Sequence, residues 1–194
     1  MSAHPAARSQ AALDYLANRR SLPAKTFALP VPDRDQLTEI LTLAARVPDH
    51  GKLEPWRMVV VQRAGMARLA DLARARAEAL GGDAEKLAKG RGQYDLGLLA
   101  VVVISSPKAA AKVPVTEQIL SAGALCMNVV HAATAAGWGV CWLTGWPAHD
   151  AEFCALAFGC TEAETVAGII HIATPTVDLP ARPRPDLSAL VRWE

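Results

Sequence analysis

The chain has 194 residues, 52% of them hydrophobic and 20% charged, which predicts a single domain with its own core and excludes intrinsic disorder. The net charge is +1, and the local arginine pairs (Arg19 with Arg20, Arg74 with Arg76, Arg182 with Arg184) have no aromatics interleaved, so no nucleic-acid partner is expected. The first residues hold no apolar run of signal-peptide length. Cys126, Cys141, Cys154 and Cys160 form no C-x-x-C pair, which argues against a metal or dithiol motif and for reduced thiols in a cytoplasmic protein.

A first helix is predicted from about Ser9 to Arg20, with Leu13, Leu16 and Ala17 on one face and the two arginines at its negative end. Pro23, Pro30 and Pro32 then break the chain. Asp33 with Gln36 three residues on is a capping-box pattern opening a helix through Leu37, Ile40, Leu41 and Ala44. A polar loop, Pro48 to Pro55, leads into a strand from Arg57 to Gln62 whose β-branched run suits burial on both faces. A helix follows from Met66 to Leu80, ended by Gly81-Gly82, then a shorter one from Asp83 to Lys89. Leu98 to Ser105 reads as a second buried strand.

The apolar stretch from Ile119 to Ala136 carries Asn128, His131 and Thr134 and many small residues. It reads as a buried helix starting near Thr116 or Glu117, not as a membrane span. Gly139 to Leu143 and Val166 to Ala173 complete four strands, with a helix from Ala148 to Phe158 between them. The Pro- and Arg-rich tail from Thr174 reads as an extended arm. Strands separated by helices, with no linker, favour an α+β or α/β layered fold in one domain, 1–194.

Three constellations carry chemical potential. Arg19-Arg20-Ser21 puts two guanidinium forks and a hydroxyl in three residues, a set that can grip phosphate; alone it reads more readily as a solvated helix end. The loop Arg46 to Trp56 brings cations, His50, Gly51 and Trp56 together before a buried strand, where ligands favour binding. Gly137 to Trp146 holds three tryptophans and three glycines around one strand; glycines admit close backbone approach and indoles make flat walls, although such a set also builds an ordinary core. No G-x-G-x-x-G, P-loop, H-E-x-x-H or G-x-S-x-G is present, and no metal site is expected.

Taken together, these segments resemble the nitroreductase superfamily, and most of all its short, single-domain NAD(P)H nitroreductase subgroup. The resemblance rests on Asn18-Arg19-Arg20-Ser21, Arg46-x-Pro48-Asp49-His50 with Pro55-Trp56, Ser121-Ala122-Gly123, Gly137-x-Gly139 with Trp142, and Phe158-Gly159-Cys160, in that order. It implies an α+β three-layer sandwich, a central mixed β-sheet flanked by helices, in an intertwined homodimer with two FMN sites at the interface. It implies that Arg19, Arg20 and Ser21 hold the FMN phosphate and ribityl chain, and that Arg46 and His50 are further flavin contacts, His50 from the second subunit. Trp142, Leu143 and Thr144 would line the flavin, and a tail arginine, Arg182 or Arg184, would complete the phosphate site. The stretch Ala132, Ala133, Thr134, Ala135, Ala136 and Gly137 matches one suggested for the nicotinamide nucleotide.

Leu143 and Thr144 stand where the subgroup has Arg and Ser, so a flavin contact at Leu143 falls to its backbone. The implied activity is transfer of hydride from NADH or NADPH through flavin N5 to a small organic acceptor by a ping-pong cycle, with no obligatory catalytic side chain. The alternative is a flavin-binding or flavin-storing module without reductase turnover.

Overall fold

Strand β3, Leu99–Ser105, is buried along its whole length, and its alternate side chains serve two different cores. Ala100, Val102 and Ile104 face one side with Met66, Leu69, Tyr94, Phe153 and Ile169. Leu99, Val101 and Val103 face the other with Leu37, Ile40, Leu125, Val129 and Ile172. A strand that is apolar at every position is what a sheet covered by helices on both faces requires. The computed structural model describes residues 7–194 of the chain.

Around β3 lie β2 (Trp56–Gln62) and β5 (Thr165–Pro175), the latter also pairing with β4 (Gly139–Leu143) and with the two-residue β1 (Phe27–Ala28). All four ladders are antiparallel, which corrects the mixed sheet expected from the sequence. The α+β sandwich itself is as expected. Helices α3 (Arg63–Ala79), α4 (Ala84–Asp95) and α6 (Ala151–Phe158) form one outer layer, and α2 (Arg34–Ala44) with α5 (Val115–Ala135) the other.

Helix α5 buries Ala122, Leu125, Cys126, Val129, Val130 and Ala133 against the sheet, so the most apolar stretch of the chain is a core helix. Its end is a Schellman turn: Gly137 has φ 89°, its N–H donates to the Thr134 carbonyl, and the Trp138 N–H donates to the Ala133 carbonyl. The chain thereby reverses directly into β4. Helix α2 opens with the reciprocal Asp33–Gln36 capping box, with bonds of 2.9 and 3.0 Å.

Helix α1 (Gln10–Asn18) differs from the others in having no buried residue. Leu13 and Leu16, its expected core stripe, are 41% and 55% exposed. All four cysteines are free thiols, three of them buried.

Candidate functional site

Strand β4 pairs with β5 on one side only, and the chain leaving α1 runs along its other edge. The Val140 carbonyl accepts from the Leu22 N–H at 3.0 Å and from the Ser21 hydroxyl at 3.2 Å. Arg19 ends α1 with an extended ψ of 130°, which turns the following residues onto that edge. The result is a fixed Arg19-Arg20-Ser21 step. The Arg20 Nε is buried and has no hydrogen-bond partner among the described residues. An orphaned guanidinium donor is costly, and a ligand acceptor would relieve it.

The tail reaches the same place, where Arg184 donates to the Ala17 carbonyl in the last turn of α1. Arg182 is exposed two residues earlier. Beneath this step, Tyr15 on α1 donates its hydroxyl to the His131 carbonyl of α5 at 3.0 Å and meets His131 Nδ1 at the same distance. Burial and the nearby Arg19 charge both hold the His131 pKa below its ordinary value, while burial raises that of Tyr15. A neutral imidazole is therefore favoured in contact with the arginine-rich end of α1.

Trp142 lies two residues beyond Val140, about 7 Å along the strand. Its indole lies across Gly168 on β5, where a Cβ would come within 2.3 Å of the Trp142 Nε1. Glycine is needed there because the ring rests on bare backbone. Trp142 is 38% exposed, and the half-buried Leu143 that follows it points to the opposite face of the strand, so only the Leu143 and Thr144 backbone continues the edge beside the ring. The other two tryptophans of this segment are structural. Trp138 packs on the α2–α5 core. Trp146 donates to the Lys86 carbonyl at 2.9 Å and fills the space beside Gly90.

The loop from Arg46 to Trp56 is pinned along α5. Asn128 donates to the Arg46 carbonyl at 2.9 Å, and Ser121 donates to the Pro48 carbonyl at 2.7 Å while accepting from Trp56 Nε1 at 3.1 Å. Trp56 is thus a brace for the loop. Both carboxylate oxygens of Asp49 are used, accepting from the Leu53 and Glu54 N–H groups at 3.0 and 2.9 Å. They hold a backbone with positive φ at Gly51, Lys52 and Glu54. Non-glycine residues adopt such angles only under constraint. The loop presents His50, whose Nδ1 lies 2.7 Å from a Glu117 oxygen at the start of α5.

One chain therefore assembles Arg19, Arg20, Ser21, Arg184 and Trp142–Thr144 around the outer edge of β4, and holds Arg46 and His50 elsewhere. Fourteen residues of α5 separate Glu117, which holds His50, from His131, which holds α1. That spacing is roughly 21 Å along the helix. The stretch Ala132–Gly137 forms the capped end of α5, and its Ala132, Ala135 and Ala136 line a groove with Gln36, Glu39, Ile40, Leu43 and Trp138. A helix C-terminus repels anions, so this stretch offers apolar contact and no phosphate site. Glu117, Tyr15 and Gly168 were not singled out by sequence reasoning. Only Glu117 left a sequence signal, as an acidic residue in the first turn of a long apolar helix.

The Nitroreductase family model matches residues 16–174. The chain is 34% identical over 164 residues to the Escherichia coli K12 protein named "Putative NAD(P)H nitroreductase YdjA", covering 84% of this chain and 88% of that one. A Haemophilus influenzae protein of the same description is 33% identical over the same shares. Among solved structures, a nitroreductase-like family protein from Bacillus cereus superposes with a TM-score of 0.74 at 21% identity over 99% of both chains. A mutant of the FMN- and NADPH-dependent nitroreductase NfnB from Sphigopyxis sp. strain HMH superposes with a TM-score of 0.71 at 18% identity over 94% of this chain and 98% of that one. The family match begins inside α1 and ends on the last residues of β5, spanning the sheet and the arginine step on its edge, and the chain belongs to the nitroreductase family.

Proposed function

We propose that the protein is an FMN-dependent NAD(P)H oxidoreductase acting in the cytoplasm as a homodimer. The observation that carries this reading is the Arg19-Arg20-Ser21 step along the outer edge of β4, with a buried guanidinium N–H on Arg20 that lacks an acceptor among the described residues. FMN suits this donor set. Its phosphate would take Arg19, Arg20 and Arg184 as charge-assisted donors, with Ser21 beside them. Its ring would lie at the end of β4, beside the Trp142 indole and the backbone of Leu143 and Thr144.

Bound FMN would supply hydride acceptance from NADH or NADPH and hydride delivery to a small organic acceptor through its N5. The side chains anchor, orient and exclude water; none is assigned as an obligatory acid or base. The separation of His50 and Arg46 from the arginine step within one chain supports their serving the site of a second copy. The exposed apolar residues Leu13, Leu16, Ile119 and Leu120 supply a surface for that copy. The Ala132–Gly137 groove enters this reading as an apolar wall for the nicotinamide nucleotide. Four free cysteines suit a reducing compartment.

Donor and acceptor would occupy the same open side of the site in turn. Initial rates at varied NAD(P)H and acceptor should give parallel double-reciprocal lines, and intersecting lines would refute the ping-pong order. Firm FMN binding without any NAD(P)H oxidation would favour the storage module instead.

A further inference from the structure

We infer that Glu117 is a positioning residue for His50, fixing which imidazole nitrogen is presented to the flavin site of the partner subunit; this rests on the functional reading above. The Glu117 carboxylate sits 2.7 Å from His50 Nδ1, so it accepts the proton carried there and leaves Nε2 as the outward nitrogen. The role of the second ring nitrogen of a histidine is commonly set by such a bond on the first.

Two further observations separate this pair from an ordinary surface contact. The pair is 58% and 50% exposed in the single chain, where an ion pair adds little to stability. Yet the backbone that delivers His50 is strained. Lys52 and Glu54 hold positive φ while both Asp49 carboxylate oxygens bond across the turn, and the Ser121 and Asn128 anchors on α5 fix the approach to it at Pro48 and Arg46. Strain held this firmly is characteristic of a placed functional group. His50 and Glu117 also edge a cleft with Leu120 and Ala124, on the apolar face of α5 that a second copy would cover. Covering it would dry the pair and lock the ring.

The test uses the full-length protein with ¹⁵N-labelled histidine. Long-range ¹H–¹⁵N correlation above the ordinary histidine pKa should show His50 as the Nδ1–H tautomer in the wild type. Glu117→Ala should revert it toward the Nε2–H form preferred in water, and Glu117→Gln, which keeps an acceptor oxygen, should retain it in part. In FMN titrations Glu117→Ala should raise the Kd about five- to tenfold, the worth of one hydrogen bond to an oriented group. The same substitution should have no further effect in a His50→Ala background.

A wild-type Nε2–H ring, or a Glu117→Ala loss of the same size with His50 already removed, would overturn the positioning role while leaving the FMN reading standing. A protein that takes up no FMN, yet shows the Nδ1–H tautomer, would overturn the functional reading and with it the role of the pair.

Discussion

Replacing Arg20 with alanine separates binding from folding, because the structure gives this guanidinium so little to do within the chain. Its Nε has no hydrogen-bond partner among the described residues, so Arg20→Ala widows no acceptor at that atom. The loss to folding is limited to the packing of a half-buried aliphatic stem, about 1 kcal/mol or less. The loss to FMN binding is that of a charge-assisted hydrogen bond, about 1.5–3 kcal/mol, or roughly 10- to 150-fold in Kd.

Ser21→Ala provides the contrast. The Val140 carbonyl would still hold the Leu22 N–H at 3.0 Å, so both the fold and the Arg20 donor remain and FMN affinity falls less. Fluorescence quenching of FMN gives Kd, and thermal melts with and without FMN give the two stabilities. An unchanged FMN Kd in Arg20→Ala would refute the reasoning. So would a ligand-free melt lowered by the equivalent of more than about 2 kcal/mol, since it would make Arg20 a structural residue.

Other expectations follow from the same geometry. Gly168→Ala drives a methyl to 2.3 Å from the Trp142 indole and should destabilise by about 1–3 kcal/mol; in a Trp142→Ala background most of that penalty should vanish, and a penalty that persists would place the clash elsewhere. Burial holds the His171 pKa down to about 4, against an ordinary 6.5, so the unfolded chain binds a proton there that the folded chain refuses. This contribution to stability is complete above the unfolded value and falls by about 3 kcal/mol as pH drops from 6.5 toward 4. His171→Leu should abolish that part of the urea-midpoint profile.

Glu164, whose hydrogen bond from Arg57 holds its pKa near 2 instead of 4.5, acts in the next window down. Its stabilisation is present above the unfolded value and is lost as pH falls from 4.5 toward 2, so Glu164→Gln should flatten the profile there and leave the His171 window intact. Leu120→Arg puts a charge on the exposed face of α5 and should give a monomer by light scattering with an unchanged far-UV spectrum; a dimer would move the interface off that face.

Much of this architecture was legible because local chemistry and tertiary demand coincide. The Asp33–Gln36 box marks α2 in the sequence and caps it in the structure. The continuous apolar run of β3 announces burial on both faces, whereas the same expectation for β2 fails, because β2 is an edge strand with only Val61 buried. Misreadings arose where a distant contact decides. The helix expected from Asp83 to Lys89 continues to Asp95 as α4, with the Trp146 ring lying against Gly90. Pro147 and the Asp150 cap split the expected helix from Ala148 into a 3₁₀ turn and α6.

The two residues of β1 exist only by pairing with Thr174 and Pro175, which no local pattern reveals. The sheet direction was taken from resemblance, and the antiparallel pairings join segments too distant in sequence for a local pattern to show them. In the candidate site, the arginine step and Trp142 carried recognisable residue types. Glu117 and Gly168 matter through one contact each, across 67 residues and between neighbouring strands respectively, and so left almost no sequence signature.

The central claim is that the arginine step on β4 holds FMN. The measurement that tests it most directly is the absorbance spectrum of the purified protein, followed by that of the supernatant after heat denaturation. The account predicts a flavin spectrum and release of about one FMN per chain. A colourless protein that also fails to take up added FMN would contradict it, and would return Arg19, Arg20 and Trp142 to the role of ordinary surface residues.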